Sequence, residues 1–81
     1  MTLREQLLSE LRQQNDIAQE EIKKLEEDIS AEAFLMSTVN GGALAGAAKN
    51  ACQNRMQAAS AKKERVKQQN AWIREMLSIY N

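Results

Sequence analysis

The sequence predicts an all-α chain: an antiparallel two-helix hairpin, coiled-coil-like, with enough apolar surface left over to pair into a four-helix bundle. Three observations predict it. Proline is absent, aromatics make up only 4% of the chain, and Glu, Gln, Ala, Lys and Leu dominate, which is the composition of helices rather than sheets. Apolar residues recur at heptad spacing in both halves. All three glycines fall in one soft apolar stretch, TVNGGALAGAAKNA at residues 38–51, between two highly charged segments. At 81 residues the chain is expected to be one domain, residues 1–81, with a marginal core for which self-association or a partner is the default expectation.

The first helix is expected from about residue 3 to about residue 39. Thr2 and Glu5 have the T-x-x-E spacing of a capping box, in which the hydroxyl and the carboxylate satisfy free backbone donors at a helix start. Leu8, Asn15, Ile22, Ile29 and Met36 then occupy one seam position of a heptad. Arg4, Leu11, Ala18, Leu25, Glu32 and Val39 occupy the other. The other faces are charged and include the i,i+4 pair Glu20–Lys24. Asn15-Asp16 interrupts the apolar pattern, and two readings of it stand. Asp16 and Gln19 have the spacing of a second cap, which would kink or break the helix. Alternatively, Asn15 sits in the seam and fixes register by finding a polar mate, for which Asn70 is the candidate in an antiparallel pair.

The second helix is expected from about residue 43 to about residue 79. One column runs Ala45, Cys52, Ala59, Val66, Ile73, Tyr80, and its neighbour Leu44, Ala51, Ala58, Arg65, Trp72, Ile79. Met56, Met76 and Leu77 flank the seam. Between the helices, Asn40, Gly41 and Gly42 are the expected turn. Glycine is the usual residue for the left-handed backbone that ends a helix, and two glycines inside a continuous helix would cost roughly 2 kcal/mol relative to alanine. A turn there lays Met36 and Val39 beside Ala43 to Ala47, and Leu3 to Leu11 beside Trp72 to Tyr80. Small residues after the turn let the backbones approach, and bulky ones fill the open end. The same glycines would serve as a hinge for a domain-swapped straight helix.

Net charge is zero, but only in total. Residues 1–40 carry four basic and nine acidic side chains, a net of −5, and residues 41–81 carry seven basic and two acidic, a net of +5. An acidic helix and a basic helix attract when laid side by side. The basic run Lys62, Lys63, Arg65, Lys67 is the one candidate nucleic-acid surface. It lacks the interleaved aromatics that single-strand binders use, and the acidic half competes for its cations, so nucleic acid is not the expected partner.

Nothing in the composition points to catalysis, a metal or a cofactor. Histidine is absent, and the single Cys52 permits neither an internal disulfide nor a Cys/His zinc site, and lacks an activating base. Cys52 lies in an alanine-rich column and reads as a small core residue. The glycines do not match a phosphate loop, which would need G-x-x-x-x-G-K-[ST] after a strand. The apolar stretch around residues 33–48 is too short, and too polar at Ser37, Thr38 and Asn40, to be a transmembrane segment. The opening residues show no secretory pattern, and a lone thiol suits a reducing compartment, so the cytoplasm is the expected location.

Function is therefore expected through protein contact. A hairpin buries one face of each helix, yet Leu3, Leu7, Ile17, Phe34, Leu35, Trp72 and Ile79 fall beside the seam, an unusually large apolar surface for a monomer. Leu3, Leu7, Phe34, Leu35, Trp72, Met76 and Leu77 are the candidate partner anchors. The expected partner is a protein, either a second copy, most simply in a homodimer, or a different chain. The first reading is an adaptor or structural module that self-associates; the second is a small co-chaperone or inhibitor that masks a partner's apolar surface. In size and layout the chain is similar to the short helical hairpins that act as co-chaperones of type III secretion needle subunits, and to small phage-encoded inhibitors of host proteins. That likeness is one of architecture and no motif carries it. Needle subunits themselves share the helix–turn–helix length, but their proline-containing turn is absent here.

Overall fold

The computed structural model describes every residue except Asn40 and Ala43. Two helices, α1 (Leu3–Thr38) and α2 (Ala45–Tyr80), fold back on each other as an antiparallel hairpin, and the described residues contain no strand. The hairpin measures 63 × 15 × 13 Å. Its length follows from the helices, since 36 residues at about 1.5 Å each span about 54 Å.

Each helix end has a local cause. Thr2 is extended (φ −78°, ψ 162°) and its Oγ1 accepts the backbone N–H of Glu5 at 3.2 Å, which starts α1 at Leu3. At the other end Ser37 and Thr38 donate their hydroxyls to the carbonyls of Phe34 and Leu35, at 2.7 and 2.9 Å. The Leu35 carbonyl also accepts the backbone N–H of Val39 at 3.1 Å, so each hydroxyl adds a second, local bond to the last turn. The β-branched Val39 then leaves the helix in an extended conformation (φ −80°, ψ 108°). Gly41 and Gly42 supply the left-handed backbone of the turn, at φ +68° and +84°. The part expected of Asn40 falls outside the described residues.

α2 begins at Ala45, two residues later than the periodicity implies, and runs to Tyr80. Leu44 is its N-cap and has no side-chain acceptor to hold the first free donors. α1 is continuous through Asn15-Asp16, so the alternative of a kink there is not realised.

Leu11, Ala18 and Leu25 are buried on α1, and Cys52, Val66 and Asn70 on α2. Ala18, Leu25 and Val66 pack as one cluster, with Ile22 and Ala59 against it. Leu8, Asn15, Ile29, Met36, Met56 and Ile73 are half-buried along the same seam. Tyr80, the last member of its column, is instead exposed, level with Leu3 and Arg4 at the open end of the hairpin. No side chain among the described residues is completely shielded. The chain exposes 6026 Å². A compact monomer of 9.1 kDa would expose about 4900 Å². The hairpin thus leaves about 1100 Å² more in water than a globular chain of its mass.

Candidate protein-interaction surface

The two flanks of the hairpin differ in chemistry, and two ion pairs define them. Glu21 and Lys62 meet at 3.4 Å across one flank. Glu26 and Lys63 meet at 3.3 Å across the other. Residues seven apart share a helix face, so Glu21 lies in line with Leu7, Gln14 and Leu35, and Lys62 with Gln69 and Met76. Just outside those stripes run Leu3 and Ile17 on α1, and Trp72 and Ile79 on α2. The Glu21–Lys62 flank therefore carries most of the exposed large apolar side chains: Leu3 is 84% exposed, Ile79 67% and Trp72 59%. The Glu26–Lys63 flank presents Gln19, Gln53, Ser60, Lys67 and Arg74 instead.

Two shallow grooves cut the apolar flank near the open end. Leu3, Leu7, Ile79 and Tyr80 line one, together with Arg4. Leu11, Ile73 and Trp72 form the apolar walls of the other, with Gln14, Gln68 and Gln69 at its rim. Polar locks hold the open end in place. Arg4 donates twice to the backbone carbonyl of Tyr80, at 3.2 and 2.7 Å, and Arg12 donates to Oδ1 of Asn81 at 3.2 Å. These contacts tie the first turns of α1 to the last turn of α2.

The structure distributes the sequence-derived anchors unevenly. Leu3, Leu7 and Trp72 lie on the grooved flank. Leu35 is on the same stripe but near the turn. Phe34 is exposed on the back of α1, away from the grooves. Met76 and Leu77 are half-buried in the seam rather than displayed, because both turn toward α1. Gln14, Gln68 and Gln69, which rim the Trp72 groove, were not singled out in the sequence, although the heptad stripe through Leu7 and Glu21 passes through Gln14.

The interhelical ion pairs all join an acid of α1 to a base of α2. Arg55 forms the shortest, donating to Glu32 from Nε at 2.7 Å and from Nη2 at 3.0 Å. It also reaches Sγ of Cys52 at 3.4 Å. The Arg55 hydrogen bonds hold the Glu32 carboxyl below the usual carboxylate range. Burial, with the Glu32 carboxylate beside it, pushes the Cys52 thiol up. The thiol is thereby kept protonated, which is the opposite of nucleophilic activation. Lys62 and Lys63, two of the four cations of the basic run, are engaged by α1 carboxylates. Among the described residues no cluster of His, Cys, Asp or Glu has the arrangement of a metal site, and no helix is long and apolar enough to cross a membrane.

No family model matches the chain, and neither a curated protein nor a solved structure matches it.

Proposed function

We propose that this chain is a non-enzymatic protein-interaction module, a small helical hairpin that self-associates into a four-helix bundle and acts as an adaptor or structural element. The observation that carries this reading is the one-sided display of Leu3, Leu7, Trp72 and Ile79 on one flank, at the end where Arg4 bonds the Tyr80 carbonyl. A surface of large apolar side chains gains from being covered. The excess surface of about 1100 Å² per chain is of the order that a stable interface removes from each partner, about 800 Å². A reducing compartment such as the cytoplasm suits the free thiol of Cys52.

Light scattering behind a sizing column, over a concentration series and alongside circular dichroism, tests the proposal. A helical dimer or tetramer at micromolar concentration is expected. A fully helical monomer at every concentration would overturn self-association. The flank would then be left to a different protein, the masking role of a co-chaperone or inhibitor.

A further inference from the structure

The apolar flank also carries charge, and that charge specifies how two copies fit together. On the α1 side it presents Glu10, Glu21 and Asp28 against Lys24 alone. On the α2 side its two stripes carry Arg55, Lys62 and Arg65 and no acid, Glu64 lying on another face. Two hairpins pressed flank to flank by a two-fold axis have two ways to align. If the axis runs along the hairpin, the open ends come together and α1 of each copy lies over α2 of the other. If the axis runs across the hairpin, each open end meets a turn, and α1 lies over α1 and α2 over α2. The second arrangement brings the middle of each helix onto itself, with Glu21 near its own copy and Lys62 near its own copy.

Resting on the self-association reading, we propose that a second copy of this chain occupies the Glu21–Lys62 flank with the two-fold axis parallel to the helices. The acidic α1 of each copy then covers the basic α2 of the other. Leu7 of one copy lies at the level of Ile79 of the other, and Trp72 packs over the partner's first helix. Apolar burial supplies the attraction in either alignment; like charge against like charge penalises only the crossed one. The alternation of acid and base already present between Glu21 and Lys62, and between Glu32 and Arg55, continues around the whole bundle.

A spin label at Ser78, introduced as Ser78→Cys in a Cys52→Ala background, reads the alignment in the full-length chain. Ser78 is exposed and lies near the open end. In the aligned dimer the two labels are separated only by the width of the bundle, about 20–30 Å given helices about 10 Å thick. In the crossed dimer they sit near opposite ends, about 45 Å apart along the axis at about 1.5 Å per residue. Arg65→Glu gives a second readout without a cysteine exchange. In the aligned dimer it places an acid over an acid and raises the dissociation constant about fivefold at low salt, the scale of an exposed ion pair. In the crossed dimer it removes a repulsion and tightens association. A short label distance with weakened Arg65→Glu association supports the proposal. A dimer with a long distance or a tightened Arg65→Glu variant overturns the alignment while leaving self-association standing. A wild-type chain that stays monomeric overturns both.

Discussion

Arg55 grips Glu32 across the hairpin with two hydrogen bonds, 2.7 and 3.0 Å long, and touches the buried thiol of Cys52 from the same guanidinium. A planar fork of donors matched to a carboxylate is the strongest form an ion pair takes. Here it also joins the acidic and basic halves a few turns from the hairpin bend. The folded state lowers the pKa of Glu32, so the stabilisation is present above the unfolded carboxylate pKa and is lost as pH falls through the lowered folded value. Thermal melts of the wild type are expected to lose stability on acidification within that window. Glu32→Gln should melt lower than wild type at neutral pH, and the two curves should converge in acid. Parallel melting curves for the two proteins over the whole acid range would show that the pair contributes nothing.

Cys52 gives a second pH-linked outcome. Burial and the Glu32 carboxylate raise its pKa, so the neutral thiol is favoured by folding. A thiol reagent should react with the native chain far more slowly than with the urea-unfolded chain at mildly alkaline pH. The raised folded value also means that stability from the neutral thiol is present below the unfolded pKa and declines as pH rises through the folded one. Equal reaction rates for native and unfolded protein would contradict a buried, unactivated Cys52.

Leu25 and Ile22 test the seam. Leu25 is buried in the cluster with Ala18 and Val66, and Ile22 packs against it. A carboxylate at either place puts a charge into the apolar cluster. In so thin a core, Ile22→Asp or Leu25→Asp should abolish most of the helical signal or the assembly, whereas Glu20→Ala, on the solvated face, should shift the midpoint by no more than about 0.5 kcal/mol in stability. Unchanged dichroism melts for both seam variants would refute the seam.

The architecture was legible because it is written at the level of periodicity and breaks. Thr2 announces the start of α1, the heptads run through both helices, and Gly41-Gly42 interrupt them. The opposite charge of the halves was likewise visible, but the partner of each charge was not. Glu32 falls at a seam position where an apolar residue is expected, and only the register across the hairpin shows that Arg55 arrives to meet it. Met76 and Leu77 read as displayed anchors because they flank the seam as large apolar residues; whether a flanking position faces in or out depends on rotation about the helix axis. The two-sidedness of the hairpin needed that rotation as well. It became readable once Glu21–Lys62 and Glu26–Lys63 marked the two flanks.

The turn glycines separate backbone demand from space. A Cβ on Gly41 or Gly42 would meet nothing within 4 Å among the described residues, yet both positions have positive φ. Replacing both with alanine should therefore cost about 1–2 kcal/mol at each through the left-handed backbone alone, and favour opening or swapping of the hairpin. Gly46 is the internal control. It lies inside α2, a Cβ there also meets nothing within 4 Å, and Gly46→Ala should stabilise by about 0.5–1 kcal/mol. Melting points and solution mass read both effects. A Gly41→Ala, Gly42→Ala chain with unaltered mass and midpoint would show that the turn does not need that backbone.

Asn15 and Asn70 carry the last prediction. The register set by Glu21–Lys62 and Glu32–Arg55 brings them to one level of the hairpin, as an antiparallel seam requires, and Asn70 is only 5% exposed. The expected bond between them does not form: Oδ1 of each is buried without a hydrogen-bond partner among the described residues. Coming to the same level places the backbones, whereas the bond also needs one amide to turn its NH2 toward the other's oxygen. A buried acceptor without a donor costs about 1–3 kcal/mol. Replacing both asparagines with leucine removes that cost and should raise the midpoint by about 4–8 °C for each kcal/mol recovered. It should also broaden the distribution of assembly states, because a polar pair in a mostly apolar stretch of seam penalises every register that separates it. Melts and light scattering on the Asn15→Leu, Asn70→Leu chain measure the two effects separately. A lower midpoint would mean that the amides are satisfied in solution and stabilise the seam; a higher midpoint with a single sharp assembly state would mean that register is held by the flanking ion pairs instead.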